Sequence, residues 1–301
     1  MSYEKKHTFS AHAAAVYGLS NAKEDHLFYS ASGDGYVALW NAETLLQEKF
    51  AVNVSNPVYC VRYCHILGWL AIGTSTGAIH IIDAIEKKEI HHLQLHVKGI
   101  YDIQFDDDKN LMYVAGGDGV LSVWSLPSFQ LLRSIPLCEE KVRQIALRAD
   151  GIIAVACGDG NIRILEPSFF NEIATIRAHE GGATAVCWHP NKPVLISGGK
   201  DAHLKCWKSD LDYKSLISIP AHYFAIYSFA FLEENKILAT ASRDKTIKIW
   251  DAHSLEHLQT IGSSKSTHTH SVNRIIACGR QLVSCGDDRQ IIIWEKNEPS
   301  L

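Results

Sequence analysis

ATASRDKTIKIWD, residues 239–251, reads as two short strands folded back on each other. Ala239 to Ser242 are small, Arg243-Asp244-Lys245 make a polar turn, and Ile247, Ile249 and Trp250 alternate with polar neighbours. Such a stretch predicts a β-hairpin. The same hairpin recurs as SASGDGYVALWN (30–41), AIGTSTGAIHIID (71–83), VAGGDGVLSVWS (114–125), VACGDGNIRILE (155–166), ISGGKDAHLKCWK (196–208) and VSCGDDRQIIIWE (283–295). Its stops are Trp40, Ile82, Trp124, Leu165, Trp207, Trp250 and Trp294, spaced 42, 42, 41, 42, 43 and 44 residues apart.

Upstream of each hairpin lies another alternating stretch, such as Val16 to Leu19, Ile100 to Phe105 and Ile226 to Phe231. A fourth follows it, as in Leu45 to Phe50 and Leu131 to Ile135. Four strands at a period in the low forties predict an all-β, seven-bladed β-propeller of four-stranded antiparallel blades. Too few residues follow Trp294 for a last strand, whereas Lys5 to Phe9 are strand-like and precede the first complete unit. An unfinished blade would leave an open sheet edge, so the N-terminal strand is expected to complete the seventh blade. The repeats use up residues 1–301, which predicts a single domain.

Period, Gly-Asp and Arg-Asp turns, Trp stops and the literal Trp250-Asp251 pair together resemble the WD40 family over essentially the whole chain. A histidine series adds to this. His12, His96, His179 and His222 each stand 28 residues before their Trp, and His268 stands 26 before Trp294. The resemblance implies a buried relay in which the Trp indole N–H donates to a Ser or Thr hydroxyl, the hydroxyl meets the His ring, and the ring meets the turn Asp. The full set is expected as His12, Ser30, Asp34 and Trp40; His179, Ser197, Asp201 and Trp207; His222, Thr240, Asp244 and Trp250; and His268, Ser284, Asp288 and Trp294. The second unit carries Val54, Ile72, Thr76 and Ile82 in those slots, and the fourth Cys138, Val155, Asp159 and Leu165. His, hydroxyl and Trp vanish together there, since a half-satisfied buried network costs more than an apolar replacement. The third unit has Val114 in the hydroxyl slot between His96 and Trp124. Its indole is therefore expected to turn to a water or a backbone carbonyl.

Composition fits a compact β protein: 47% of residues are hydrophobic, 21% are charged, and there are eight Pro. The net charge of −4 argues against a strongly basic nucleic-acid surface. No signal-peptide core opens the sequence and no apolar run approaches 18 residues, so a cytoplasmic protein without a membrane span is expected. The eight Cys include no C-x-x-C and read as reduced, small hydrophobes. No metal or cofactor is expected: the His91-His92 pair and His268-x-His270 lack companion ligands, Asp106 to Asp108 read as a solvated turn, and no helix follows the GDG triplets to complete a phosphate cradle.

Function then rests on the surface. In WD40 proteins the residue after the first apolar position of the inner strand lines the channel mouth, which here implies Tyr17, Tyr59, Tyr101, Arg143, Thr184, Tyr227 and Asn273. Lys200, Arg243 and Asp287 precede the turn Asp at the same end, where other units have Gly33, Gly117 and Gly158. Tyr and Arg are the types enriched at binding hot spots. The set, with Lys200 and Arg243, reads as a rim for a peptide or protein partner on a non-enzymatic scaffold, a monomeric propeller within a complex. The same tyrosines could instead plug the channel or stack nucleic-acid bases. An enzyme would need acid/base groups that the rim, with Arg143 and phenols, does not offer.

Overall fold

The computed structural model describes residues 2–10, 12–262 and 267–297. They form 28 strands in seven four-stranded sheets, with no helix among the described residues. The first blade pairs β2 (Val16–Asn21), β3 (Leu27–Ser32), β4 (Tyr36–Asn41) and β5 (Leu46–Asn53) in chain order. The second runs from β6 (Val58–Cys64) to β9 (Lys88–Gln94), the fifth from β18 (Ala183–Trp188) to β21 (Lys214–Pro220), and the sixth from β22 (Ile226–Leu232) to β25 (His257–Ile261). The third comprises β10 (Ile100–Asp106), β11 (Leu111–Gly116), β12 (Val120–Ser125) and β13 (Gln130–Pro136). The fourth comprises β14 (Val142–Leu147), β15 (Ile153–Cys157), β16 (Asn161–Leu165) and β17 (Glu172–Arg177).

The seventh blade is completed from the other end of the chain. Its order is β1 (Ser2–Phe9), β28 (Ile291–Asn297), β27 (Gln281–Gly286) and β26 (Val272–Cys278). β1 runs antiparallel to β28, from Ser2 opposite Asn297 to Phe9 opposite Ile291, and so closes the ring. Polar bonds seat the strand. The Tyr3 amide donates to Gln259 Oε1 at 2.7 Å, Gln259 Nε2 donates back to the Tyr3 carbonyl at 2.9 Å, and the Tyr3 hydroxyl donates to Glu233 at 2.7 Å.

The hairpin turns explain themselves through one backbone position. Gly35, Gly77, Gly119, Gly160, Ala202, Lys245 and Arg289 all have positive φ, between 64° and 91°, and each amide donates to the carbonyl three residues back. Glycine adopts this conformation at no steric cost. At Gly77, Gly119 and Gly160 space adds to the demand, because the carbonyl oxygens of His96, Cys138 and His179 stand where a Cβ would go.

By packing, the chain groups into two compact units: one drawn from residues up to Ile72, from Asp83–Lys88 and from Tyr227 onward, the other from Gly73–Ile82 and Glu89–Ile226. In the first, Trp40, Phe28 and Val16 meet Val283, Ile291 and Ile293 in one core, while Trp294, Val272 and Leu282 meet Ile237 and Ile249 in another. In the second, Leu165 and Val155 pack on Tyr113 and Val123, and Trp207 and Leu195 pack on Ile162 and Ile164. A middle strand thus buries both faces, which is why β11 and β15 are buried throughout rather than at alternate residues. β13, by contrast, is exposed along nearly its whole length.

Candidate functional site

The relay is built where three strands converge on each Asp turn. In the first unit His12 Nε2 lies 2.7 Å from Ser30 Oγ and Nδ1 lies 3.0 Å from Asp34, while the Trp40 indole donates to Ser30 at 2.7 Å. His179, Ser197, Asp201 and Trp207 are joined by contacts of 2.8 to 2.9 Å, and His268, Ser284, Asp288 and Trp294 by contacts of 2.8 to 3.0 Å. In the sixth unit the Trp250 indole donates to Thr240 at 3.0 Å and Asp244 accepts from the Thr246 amide at 3.0 Å, and His222 is buried. One proton assignment satisfies every member. The indole N–H donates to the hydroxyl oxygen, the hydroxyl donates to Nε2, and Nδ1–H donates to the carboxylate.

Each Asp also ties two loops. Asp34 accepts from the Ala13 amide at 2.8 Å and from the Tyr36 amide at 3.0 Å. Asp118 does the same with Val97 and Val120, and Asp288 with Thr269 and Gln290. Burial works upward on the carboxyls of Asp34, Asp118, Asp201 and Asp288, but the backbone and His hydrogen bonds outweigh it and hold all four below the usual carboxylate range. Burial lowers the His179 imidazole, only partly opposed by Asp201.

The third unit departs from the expectation set by Val114. The Trp124 indole does not turn to water or a carbonyl; it donates to Ser122 Oγ at 2.8 Å, and His96 Nε2 lies 2.9 Å from the same oxygen. Val114 and Ser122 are directly opposite in the β11–β12 ladder. Opposed residues share a face of the sheet, so the hydroxyl has crossed one strand and reaches the same point. In the first, fifth, sixth and seventh units the residues opposite the hydroxyl are Ala38, Lys205, Lys248 and Ile292.

The second and fourth units replace the relay differently. Ile72 and Ile82 are buried, and the nearby Thr74 hydroxyl contacts Thr76 at 3.0 Å and donates to the Ala78 carbonyl at 3.1 Å. In the fourth, Val155 and Leu165 are buried and Arg163, opposite Val155, reaches the turn carboxylate of Asp159 at 2.8 Å.

The expected rim positions share a backbone cause. The ladder register slips at Tyr17, Tyr101, Arg143, Thr184 and Asn273, each standing opposite no residue of the neighbouring strand. A bulge turns its extra residue out of the ladder, which gives this slot its own direction. Within the first compact unit Tyr17 and Tyr59 meet edge to face, with centroids 5.3 Å apart and an interplanar angle of 83°. Asn273 Nδ2 donates to the Val16 carbonyl at 3.0 Å and to Asp287 at 2.8 Å, and Tyr227 is partly buried. Within the second, the Arg143 guanidinium lies 4.6 Å and Lys141 Nζ 5.2 Å from the Tyr101 ring centroid. Gly117 gives that ring room, since a Cβ there would come within 2.9 Å of it. Lys200 and Arg243 are exposed. Thr184 differs from the others: it is buried, and its hydroxyl lies 2.5 Å from the Ile226 carbonyl and 3.1 Å from that of Gly198. Its side chain bonds to the backbone and has no surface to offer a partner.

Lys141, two residues before the bulge residue Arg143, joins the Tyr101 cluster from outside the rim positions. One grouping escapes a linear reading. Cys138, Cys157 and Asp159 bring their ligand atoms within 4.8 Å of one another, a group capable of holding a metal ion by type. The Arg163 guanidinium already covers that carboxylate and opposes a cation there.

Seven four-stranded blades, Asp-Gly turns and the His–hydroxyl–Trp relay define a WD-repeat propeller. The family model described as "WD domain, G-beta repeat" matches residues 3–41, 87–125, 170–208, 213–251 and 259–295, more than half the chain. The chain belongs to the WD40 family. Among curated relatives, it is 28% identical over 138 residues to the probable cytosolic iron-sulfur protein assembly protein 1 of Kluyveromyces lactis, covering 42% of this chain and 41% of the relative. It is 24% identical over 253 residues to the U3 small nucleolar RNA-associated protein 21 homolog of Schizosaccharomyces pombe, covering 80% and 28%. Against the apoptotic protease-activating factor 1 of Homo sapiens it is 22% identical over 320 residues, covering 91% and 25%. The chain therefore spans less than half the length of each of these relatives. No described helix is long and apolar enough to cross a membrane. WD40 propellers generally serve as protein-interaction scaffolds.

Proposed function

We propose that the chain is a non-enzymatic platform that holds a peptide or protein partner at the turn end of its blades, with the bulge residues Tyr101 and Arg143 as the contact set. The Tyr101 cluster carries this reading. Lys141 and Arg143 already stand over the Tyr101 ring, so an arriving cation would find that face taken. An arriving carboxylate would instead meet the donor fork of Arg143. The partner that fits here presents an acidic side chain to the fourth blade. Tyr17 and Tyr59 form a separate stiff aromatic wall with polar tips in the first compact unit. Phenols, an amide and a guanidinium supply no paired base and nucleophile, which favours binding over chemistry. The eight free thiols suit a cytoplasmic setting, and one relative, named for iron-sulfur protein assembly, fits a platform role.

The test is affinity capture from the native host with tagged wild type, Tyr101→Ala and Arg143→Ala, read by quantitative mass spectrometry. A hydrogen bond to a charged group is worth about 1.5–3 kcal/mol, so losing the Arg143 fork should deplete an acidic partner about tenfold or more, while the internal cation–π pair, worth roughly 0.5–2 kcal/mol, bounds the stability that either variant should lose. Equal recovery of the same proteins by all three would sink the proposal.

A further inference from the structure

The fourth blade is one of the two that lack the relay, and two cysteines stand around its His slot. Cys138 stands where other units have the relay His, and Cys157 closes β15 where the third, fifth and seventh units have Gly116, Gly199 and Gly286. In those blades the slot is small because the ring occupies the space: a Cβ on Gly116 would run into His96, one on Gly199 into His179, and one on Gly286 into Ser271 and His268. Removing the imidazole leaves a volume that the two thiols share. Their sulfurs lie within 4.8 Å of each other and of the Asp159 carboxylate.

We propose that Cys138 and Cys157 are a peroxide-reactive thiol pair that closes reversibly to a disulfide. Cys138 is half-buried and reaches solvent, whereas Cys157 is fully buried behind it. The neighbouring Cys157 thiol, then the Arg163 charge, hold the Cys138 thiol below its ordinary range against burial and Asp159. The contact with Cys138, then burial, pushes the Cys157 thiol up. The order of events follows. The Cys138 thiolate attacks a peroxide oxygen, the O–O bond breaks, and for hydrogen peroxide the products are a Cys138 sulfenic acid and hydroxide. Cys157 then attacks that sulfur; the S–O bond breaks, an S–S bond forms, and the Cys157 proton leaves with the hydroxyl as water. Two electrons pass from the sulfurs to peroxide, and a dithiol reductant returns them. Arg163 on Asp159 favours this thiolate chemistry over a bound cation.

The full chain, reduced and then treated with hydrogen peroxide, is alkylated and digested without reductant, and its peptides are identified by mass spectrometry. The expected product joins Cys138 to Cys157, two hydrogens lighter than the separate peptides, and dithiothreitol separates it. In Cys157→Ser, dimedone should label Cys138 several-fold more than in wild type; in Cys138→Ser the link and the label should both vanish. Cys187 is the internal control, being partly exposed but with its thiol pushed up by burial. The proposal is overturned if wild type, whose folding is not in question, gives no 138–157 link, if Cys187 reacts first, or if Cys138 labels equally with and without Cys157.

Discussion

Replacing Ser122 with Ala tests whether the third blade completes its relay across the strand. Ser122 is fully buried, and its Oγ accepts a hydrogen bond from the Trp124 indole at 2.8 Å and contacts His96 Nε2 at 2.9 Å. Alanine leaves the backbone ladder and nearly all the volume in place. It strands two polar groups on side chains only 6% and 1% exposed. A buried group left unsatisfied costs about 1–3 kcal/mol, so the loss for the two should be roughly 2–6 kcal/mol. That is a large share of a domain's usual stability of about 5–15 kcal/mol. Urea unfolding should be followed by Trp fluorescence and far-UV circular dichroism together, because only coincident transitions license a single free energy.

The decisive arm moves the hydroxyl back. Val114 faces Ser122 across the ladder, so Val114→Ser combined with Ser122→Ala restores the arrangement that Ser30 or Ser197 provides in other blades. Residues sharing one hydrogen-bond network should couple, by about 1 kcal/mol or more over the double-mutant cycle. Strict additivity, or a Ser122→Ala loss under about 0.5 kcal/mol, would refute the cross-strand relay.

Two further outcomes follow from the turns and the titrating groups. Gly119→Ala should destabilise far more than Gly35→Ala, since a Cβ at Gly119 meets the Cys138 carbonyl while one at Gly35 meets nothing nearer than 3.3 Å; equal losses by urea midpoint would show that backbone conformation alone decides. Stability should also fall on acidification in two stages. The folded state lowers the His179 imidazole, so the unfolded chain takes that proton first, and stability drops as pH falls below an unfolded value of about 6.5. The carboxyls of Asp34, Asp118, Asp201 and Asp288 are likewise held down, and their contribution, complete above about pH 4, is lost as pH falls through their lower folded values. A urea midpoint that stays level from pH 7.5 to 3 would contradict both stages.

Blade number, strand order and the strand exchange that closes the ring could be read from the stops and from Lys5 to Phe9, because each depends on residues close in sequence or on a constant period. The relay was legible wherever its hydroxyl lay in the expected slot of the second strand. It failed at Val114, since eight positions separate it from Ser122 and only strand pairing makes them neighbours. Cys138 and Cys157 were opaque for the same reason: they lie 19 residues apart in sequence, far from any C-x-x-C spacing, and only a loop and β15 bring them together. The rim slot came from the WD40 resemblance, as the residue after the first apolar position of the inner strand, yet position alone could not tell that Thr184 spends its hydroxyl on backbone carbonyls while Tyr101 keeps a face for Lys141 and Arg143.

The family match itself leaves a pattern that the structure explains. Its five segments end at or just past the stops of the first, third, fifth, sixth and seventh units, and the unmatched stretches hold the stops Ile82 and Leu165. Those are the blades without a His–hydroxyl–Trp chain, yet both remain four-stranded and antiparallel, with the same positive-φ turn residue at Gly77 and Gly160. What the blades have in common is therefore the turn and the burial of both sheet faces. The relay is one way of satisfying the polar atoms around that turn; Arg163 on Asp159, and Thr74 on Thr76 and Ala78, are others. Because the turn geometry does not depend on the relay, the fourth blade could give up its imidazole and still fold. The space released is what sets two thiols side by side in that blade.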